Sequence, residues 1–280
     1  MCRLFGFRSV ILSQVHKSLV HAENALMTQS ESHPDGWGIG YYVAGAPHIV
    51  KSVLTAVDDH LFKRISGIVS SQTVLAHIRK ATCGELSIVN THPFQYGRWV
   101  FAHNGTLKGF SEAQAALKHK IAPTLSRFIL GETDSEVLFY LILTHLSRRV
   151  ELHQAHCDLE VLEEAVREAL HDLKSVIGDF SEADNGKTDE TYLTFILTNG
   201  ETMLAHQGGK GLYYSTYKTK CGDREKCVNY APECESPTQT GSVNHLIFSS
   251  EPLQGENIWL PMKPGQKIGV DHRMKLRIYS

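Results

Sequence analysis

No run of apolar residues approaches the ~20 needed to cross a bilayer. Charge of neither sign dominates: 28 Lys and Arg stand against 30 Asp and Glu, a formal net charge of −2. A membrane span and a broad basic surface for nucleic acid are therefore not expected. Cysteine is scarce, with six in 280 residues (Cys2, Cys83, Cys157, Cys221, Cys227 and Cys234), and the six do not form a disulfide-type framework. A cytoplasmic, reducing setting is the simpler expectation. The first residues do not read as an export signal, because Gly6, Arg8, Ser9, Ser13 and Gln14 interrupt the apolar ones. A lipoprotein cysteine at position 2 would need an apolar export segment before it. Cys221, Cys227 and Cys234 are separated by five and six residues, unlike short zinc knuckles. No metal and no cofactor is expected, and there is no internal repeat.

What remains is an ordinary globular composition, 42% hydrophobic and 21% charged, long enough to bury a large core. Alternating and apolar runs predict strands over 4–10, 37–43, 48–54, 74–79 and 99–103, with Asn104-Gly105 as a hairpin turn. Helices are predicted over 16–29 and 61–70. Thr133-Asp134-Ser135-Glu136 reads as a capping box ahead of a buried helix over 137–146. Leu159, Leu162, Val166, Leu170 and Leu173 mark one face of a helix over 158–176. Later strands are predicted over 192–198, 202–206, 212–217, 245–249 and 274–279. A polar, cysteine-bearing segment near 219–241 reads as an inserted loop. Strands and helices do not alternate regularly, so a doubly wound parallel sheet is not expected. The pattern points to an α+β domain spanning 1–280, with two mostly antiparallel sheets covered by helices.

Five short segments carry chemistry. Removal of Met1 would leave Cys2 with both a thiol and an α-amine of pKa about 7.7–8.0. Nucleophile and general base would then sit on one residue; the alternative is a small buried hydrophobe. Arg79 ends a strand, where a guanidinium can grip a carboxylate in bidentate fashion, or simply face solvent. In His103-Asn104-Gly105, a side-chain amide beside a glycine N–H could hold an oxyanion, each donor worth about 2.7–4 kcal/mol; a plain turn is the alternative. Asp134 could bind an ammonium group, or could serve only the helix start. Asp35-Gly36-Trp37-Gly38 could let backbone approach a ligand, or be a tight turn with a core aromatic.

In this order along one chain, Cys2, Asp35-Gly36-Trp37-Gly38, Arg79-x-x-Thr82, His103-Asn104-Gly105 and Thr133-Asp134-Ser135-Glu136 resemble the class II glutamine amidotransferases, of the N-terminal-nucleophile hydrolase type. The resemblance covers about residues 2–260. Met1-Cys2-Arg3-Leu4, Pro34-Asp35-Gly36-Trp37-Gly38-Ile39-Gly40 and Ser250-Glu251-Pro252-Leu253 look like the stand-alone members, whose glutaminase is not fused to a synthase. The resemblance implies a four-layer αββα sandwich. It implies Cys2 as nucleophile, its own amine as base, and Asn104 with the Gly105 N–H as oxyanion hole. Arg79 and Thr82 would hold the α-carboxylate of glutamine and Asp134 the α-ammonium, with Gly36 and Trp37 as pocket wall. Cys83 stands where synthase-linked relatives often have a histidine, so position 83 has no assigned role. His77, His92 and His103 are expected to be structural.

The implied reaction releases ammonia and forms a γ-glutamyl thioester on Cys2, which water hydrolyses. The expected partner is a small-molecule substrate, glutamine or another γ-glutamyl compound, with a separate synthase subunit as a candidate acceptor. Two alternatives stay open. One is a hydrolase of γ-glutamyl peptides or thiol conjugates, of ergothioneine or glutathione type. The other is a catalytically silent binding or regulatory module.

Overall fold

The computed structural model describes residues 2–183, 190–222, 224–238 and 241–280. Strands β1 (Arg3–Gln14), β2 (Trp37–Val43), β3 (Ala46–Ser52), β4 (Ser70–Ile78), β5 (Phe94–Tyr96), β6 (Trp99–Thr106) and β7 (Tyr192–Thr198) are followed by seven more. These are β8 (Met203–His206), β9 (Tyr213–Ser215), β10 (Gly241–Ser242), β11 (His245–Ser249), β12 (Leu260–Pro261), β13 (Lys267–Val270) and β14 (Lys275–Tyr279). They form two sheets, ordered β12-β9-β11-β1-β4-β2-β3 and β10-β14-β13-β8-β7-β6-β5. The described strand pairings are antiparallel. The longer helices are α1 (His60–Ile68), α2 (Phe110–Lys120), α3 (Asp134–Ser147) and α4 (Leu159–Ile177).

Side-chain alternation assigns the layers. On β1, Leu4 turns toward the second sheet, in one cluster with Leu75, Ala102, Ile196 and Phe248. Phe5 and Phe7 turn outward, onto Leu19, Leu26 and Phe62. On β6, Val100 and Ala102 face the first sheet, whereas Phe101 faces the helices with Leu138, Phe139 and Leu162. Each such side chain contributes about 1.5–3 kcal/mol when fully buried. The product is the expected αββα sandwich. Helix α3 is buried from Asp134 to Leu146, as a helix apolar around most of its circumference must be.

Two expected elements differ. The helix expected over 16–29 is broken into short turns at Lys17–His21 and Leu26–Gln29, because the backbone is extended at Ala22 (ψ 146°) and Ala25 (ψ 160°). Leu19 and Leu26 are its buried leucines, and no longer apolar stripe holds a helix together there. Asn104-Gly105 is not a turn: β6 runs through it to Thr106, pairing Asn104 with Thr194 and Gly105 with Leu193. The capping box also forms only in part. Thr133 Oγ1 accepts from Glu136 N at 3.3 Å, but the Glu136 carboxylate accepts from Leu130 N and Gly131 N instead of reaching back to the cap.

Asp59 starts α1 and ties it to β2. Its carboxylate accepts from Leu61 N at 2.9 Å and from Trp37 Nε1 at 3.1 Å. Burial opposes its ionisation, but hydrogen bonds from Ser52, Leu61 and Trp37 outweigh that and hold the carboxyl below its ordinary value. Asp59→Ala is expected to cost about 1–2 kcal/mol, read as a lower urea midpoint. The folded carboxyl titrates below the unfolded one. Its contribution is therefore complete above the unfolded value and lost as pH falls through the folded one. A stability-versus-pH curve for Asp59→Ala should lack that acid-side loss.

The cysteine-bearing segment closes at its base, where Lys218 N donates to Cys234 O at 2.8 Å. Residues 223, 239 and 240 of the expected loop lie outside the described residues. Cys221, Cys227 and Cys234 are free thiols. Among the described residues no group of three or more His, Cys, Asp or Glu is placed to hold a metal. No described helix is long and apolar enough to cross a membrane.

Candidate active site

Cys2 immediately precedes β1, and both neighbours of that strand hold its start. Arg3 pairs with Ile78 on β4. On the other side Leu4 N donates to Ser250 Oγ at 2.9 Å, and Ser250 N donates to Leu4 O at 3.0 Å. Alternation puts Cys2 on the Leu4 face of its sheet and Asn104 on the Ala102 face of the other, so both point into the space between the sheets. Cys2 Sγ accepts from Lys80 N at 3.3 Å and lies 3.4 Å from Lys80 O. Burial pushes the thiol up from its ordinary value. The resting group is therefore the protonated thiol.

The Asp35-Gly36-Trp37-Gly38 motif supports this contact from behind. Asp35 Oδ2 accepts from Ala81 N at 2.8 Å, and Gly36 O accepts from Arg79 N at 2.8 Å. Gly36 has φ +114°, and a Cβ there would lie 2.7 Å from Ser52 O. Trp37 is fully buried against Phe62, with ring centroids 5.0 Å apart. Neither Gly36 nor Trp37 lines the cavity at Cys2. The expected wall residues act through backbone and core packing, because the Trp37 side chain falls on the outer face of its sheet.

The cavity itself is about 20 Å³. It is bounded by Cys2, by Arg79 to Cys83, by His103 and Gly105, and by Thr133 to Ser135. Four of the five expected segments thus converge, although they lie far apart in sequence. Asn104, between the lining residues His103 and Gly105, is buried but does not itself line the cavity, and its Oδ1 has no hydrogen-bond partner. Both expected charge clamps are already engaged by the 83–85 segment. The Arg79 guanidinium donates to the carbonyls of Cys83 (3.0 Å), Gly84 (3.3 Å) and Glu85 (3.3 Å). Asp134 Oδ1 accepts from Cys83 Sγ at 3.4 Å and from Ser135 N at 2.7 Å, while Oδ2 accepts from Leu107 N at 2.7 Å. Burial and then the Asp134 charge push the Cys83 thiol up to about 12, which keeps it a donor at neutral pH.

His103 joins β6 to α3. Its Nε2 lies 2.9 Å from Tyr192 O, which can only accept, so Nε2 carries the proton. Burial holds the ring below its ordinary value, so the imidazole is neutral and Nδ1 accepts from Ser135 Oγ at 2.9 Å. Ser135 Oγ is also 3.2 Å from Asp134 Oδ1. Ser135, Lys80, Asn90 and His92 are cavity residues that sequence reasoning did not assign. Asn90-Thr91-His92-Pro93 between two strands was the available signal. A second cavity, about 550 Å³, lies along the far half of β1 and the 218–234 segment, and none of these groups reaches it.

Two antiparallel sheets faced by helices, with a cysteine between them at the head of a central strand, define the N-terminal-nucleophile class of fold. Within it, the chain belongs to the class-II glutamine amidotransferases, whose family model matches residues 1–273. A glutamine aminotransferase class-II domain protein from Silicibacter pomeroyi superposes with TM-score 0.64 at 21% identity, covering 100% of this chain and 98% of that one. The glutamine phosphoribosylpyrophosphate amidotransferase of B. subtilis superposes with TM-score 0.60 at 15% identity, covering 99% of this chain but 49% of that one. YafJ of Escherichia coli is 34% identical over 244 residues, 84% of each chain. An uncharacterized protein of Methanocaldococcus jannaschii is 34% identical over 154 residues, 53% of this chain and 40% of that one. A gamma-glutamyl-hercynylcysteine sulfoxide hydrolase of Mycobacterium tuberculosis is 34% identical over 74 residues, 26% of this chain and 32% of that one.

Proposed function

We propose that this chain, once Met1 is removed, hydrolyses a γ-glutamyl amide through a thioester on Cys2. The observation that carries the reading is the meeting of a buried thiol, a guanidinium and a carboxylate at one cavity between the sheets. The Cys2 amine takes the thiol proton as sulfur attacks the side-chain carbonyl of glutamine. Asn104 and the Gly105 N–H hold the resulting oxyanion, and the amine returns the proton to the departing ammonia. Water then releases glutamate. Arg79, assisted by Thr82, takes the α-carboxylate, and Asp134 takes the α-ammonium. An amino acid binding there exchanges the 83–85 contacts for stronger, charge-assisted ones. A free α-amino acid moiety is thereby preferred over a glutamine inside a peptide chain. Gly36, with Asp35, serves by fixing residues 79–81, and Trp37 serves by packing the outer face of its sheet.

A second reading, hydrolysis of γ-glutamyl peptides or thiol conjugates, is favoured by the similarity to the Mycobacterium tuberculosis hydrolase. The γ-glutamyl handle is the same, so the same residues serve. Ammonia made here would pass to a separate synthase subunit or leave. The test is an assay of Met1-processed protein against glutamine, γ-glutamyl peptides and γ-glutamyl thiol conjugates, reading glutamate and ammonia together. Glutamate with equal ammonia marks the amide hydrolase. Glutamate without ammonia marks the second reading. A protein with free N-terminal Cys2 that releases glutamate from none of them sinks both.

A further inference from the structure

We propose that His92 binds the water that hydrolyses the Cys2 thioester. The inference rests on the thioester reading above and assigns a role to a residue that reading leaves idle. His92 is only 5% exposed, yet neither Nδ1 nor Nε2 has a hydrogen-bond partner. Leaving a buried polar atom unpaired costs about 1–3 kcal/mol. A phenylalanine would pack in this place without that cost. Of the neighbouring histidines, His103 engages both nitrogens, and His77 donates through Nε2 to His103 O at 3.2 Å, leaving only its Nδ1 without a partner; His92 alone of the three leaves both nitrogens unpaired.

The ring is also held in place. It packs on His77 and Phe94, with centroids 4.2 Å and 4.7 Å away. Its backbone fits against β2 because Gly38 has no Cβ, which would lie 2.1 Å from His92 O. His92 lines the same cavity as Cys2 and Gly105. That cavity, about 20 Å³, has room for one water, and the γ-glutamyl group takes the separate space opened when substrate replaces the 83–85 contacts of Arg79 and Asp134. Burial first, and then the nearby His77 and His103 rings and the Lys51 and Arg79 cations, disfavour a charge on His92 and hold it well below its ordinary value. It is a neutral imidazole with one donor and one acceptor free, matched to a water beside the acylated sulfur.

In the step itself, the water oxygen bonds to the acyl carbon and the carbon–sulfur bond breaks. One water proton passes through the Cys2 amine to sulfur, restoring the thiol. The other leaves with the glutamate carboxyl group, which ionises. His92 supplies the hydrogen bond that fixes the water, and no proton need remain on it.

The test separates acylation from deacylation. His92→Phe keeps the ring and its packing but removes both nitrogens; His92→Gln restores a donor and an acceptor. Rapid mixing of Met1-processed enzyme with substrate is followed by intact mass and by glutamate release. Acylation of His92→Phe is expected at the wild-type rate, with the γ-glutamyl enzyme accumulating. Steady-state turnover should fall about a hundredfold, the scale of losing the position of one reactant, and KM should fall with it. Hydroxylamine, a stronger nucleophile that needs no positioned water, should restore turnover as γ-glutamyl hydroxamate. His92→Gln should recover part of the hydrolysis. If His92→Phe does not fold, His92→Gln carries the test through a lowered ratio of hydrolysis to hydroxylaminolysis. Deacylation at the wild-type rate, an unchanged ratio, or acylation and deacylation falling together would each overturn the role of His92. Wild-type enzyme that turns substrate over without ever carrying a γ-glutamyl group would overturn the thioester reading instead.

Discussion

Cys2→Ala is expected to fold normally and to release no glutamate from any compound the wild-type enzyme hydrolyses. The substitution removes one sulfur atom that borders the small cavity. Its polar contacts are with Lys80 N and Lys80 O, both long at 3.3 and 3.4 Å. Loss of such contacts costs about 1 kcal/mol. The start of β1 stays pinned by Ser250 and by β4, since none of those bonds uses the thiol. Urea unfolding should therefore shift little. Catalysis has no substitute nucleophile: Cys83, the other cavity thiol, stays protonated to about 12 and is committed to Asp134. Cys2→Ser should also fold and lose nearly all activity, because an alcohol is a far weaker nucleophile at this amine's basicity. Wild-type turnover should rise with pH through about 7.7–8.0, as the α-amine loses its proton. Glutamate release by Cys2→Ala at a rate near wild type would end the covalent mechanism.

Gly105→Ala is expected to damage both stability and turnover. A Cβ there would lie 2.0 Å from Tyr192 O and 2.3 Å from His103 Nε2. The first obstacle is backbone of β7, and the second is a ring hydrogen-bonded to that same carbonyl. Neither can yield without breaking the bond between them. Overpacking of this kind costs about 1–3 kcal/mol, and an unpaired buried Nε2–H adds to it. The disturbance also reaches the chemistry, because His103 holds Ser135 and Ser135 contacts Asp134. With a displaced oxyanion donor, kcat should fall at least about a hundredfold. Gly211→Ala is the control: nothing lies within 4 Å of an added Cβ there, so stability and turnover should both hold. Wild-type turnover in Gly105→Ala would show that this strand does not bear on the reacting centre.

The amidotransferase resemblance itself was carried by short motifs, and the family match over residues 1–273 extends somewhat beyond the span they marked. The longer strands and helices α3 and α4 were legible because period and capping are local signals, whereas α2 and the short strands β5, β10, β12 and β13 were not expected. Thr133 does cap α3, and the leucine series from Leu159 does face the core. The Asn104-Gly105 dipeptide misled for the same reason. Locally it favours a turn, but pairing with Thr194 and Leu193, some ninety residues on, keeps it extended. That pairing has no local trace.

By itself, the sequence determined which chemistry was available: a thiol able to share a residue with an amine, a guanidinium, a carboxylate and an amide, each in a recognisable motif. Tertiary structure alone decided who meets whom. It buried Trp37 on an outer face while leaving its glycine-rich neighbours to brace residues 79–81. It engaged Arg79 and Asp134 with residues 83–85. It also left His92 unpaired against the cavity. Residue type and spacing carry reactivity and local conformation. Burial, register and the partners of each polar atom arise only when two sheets close on one another.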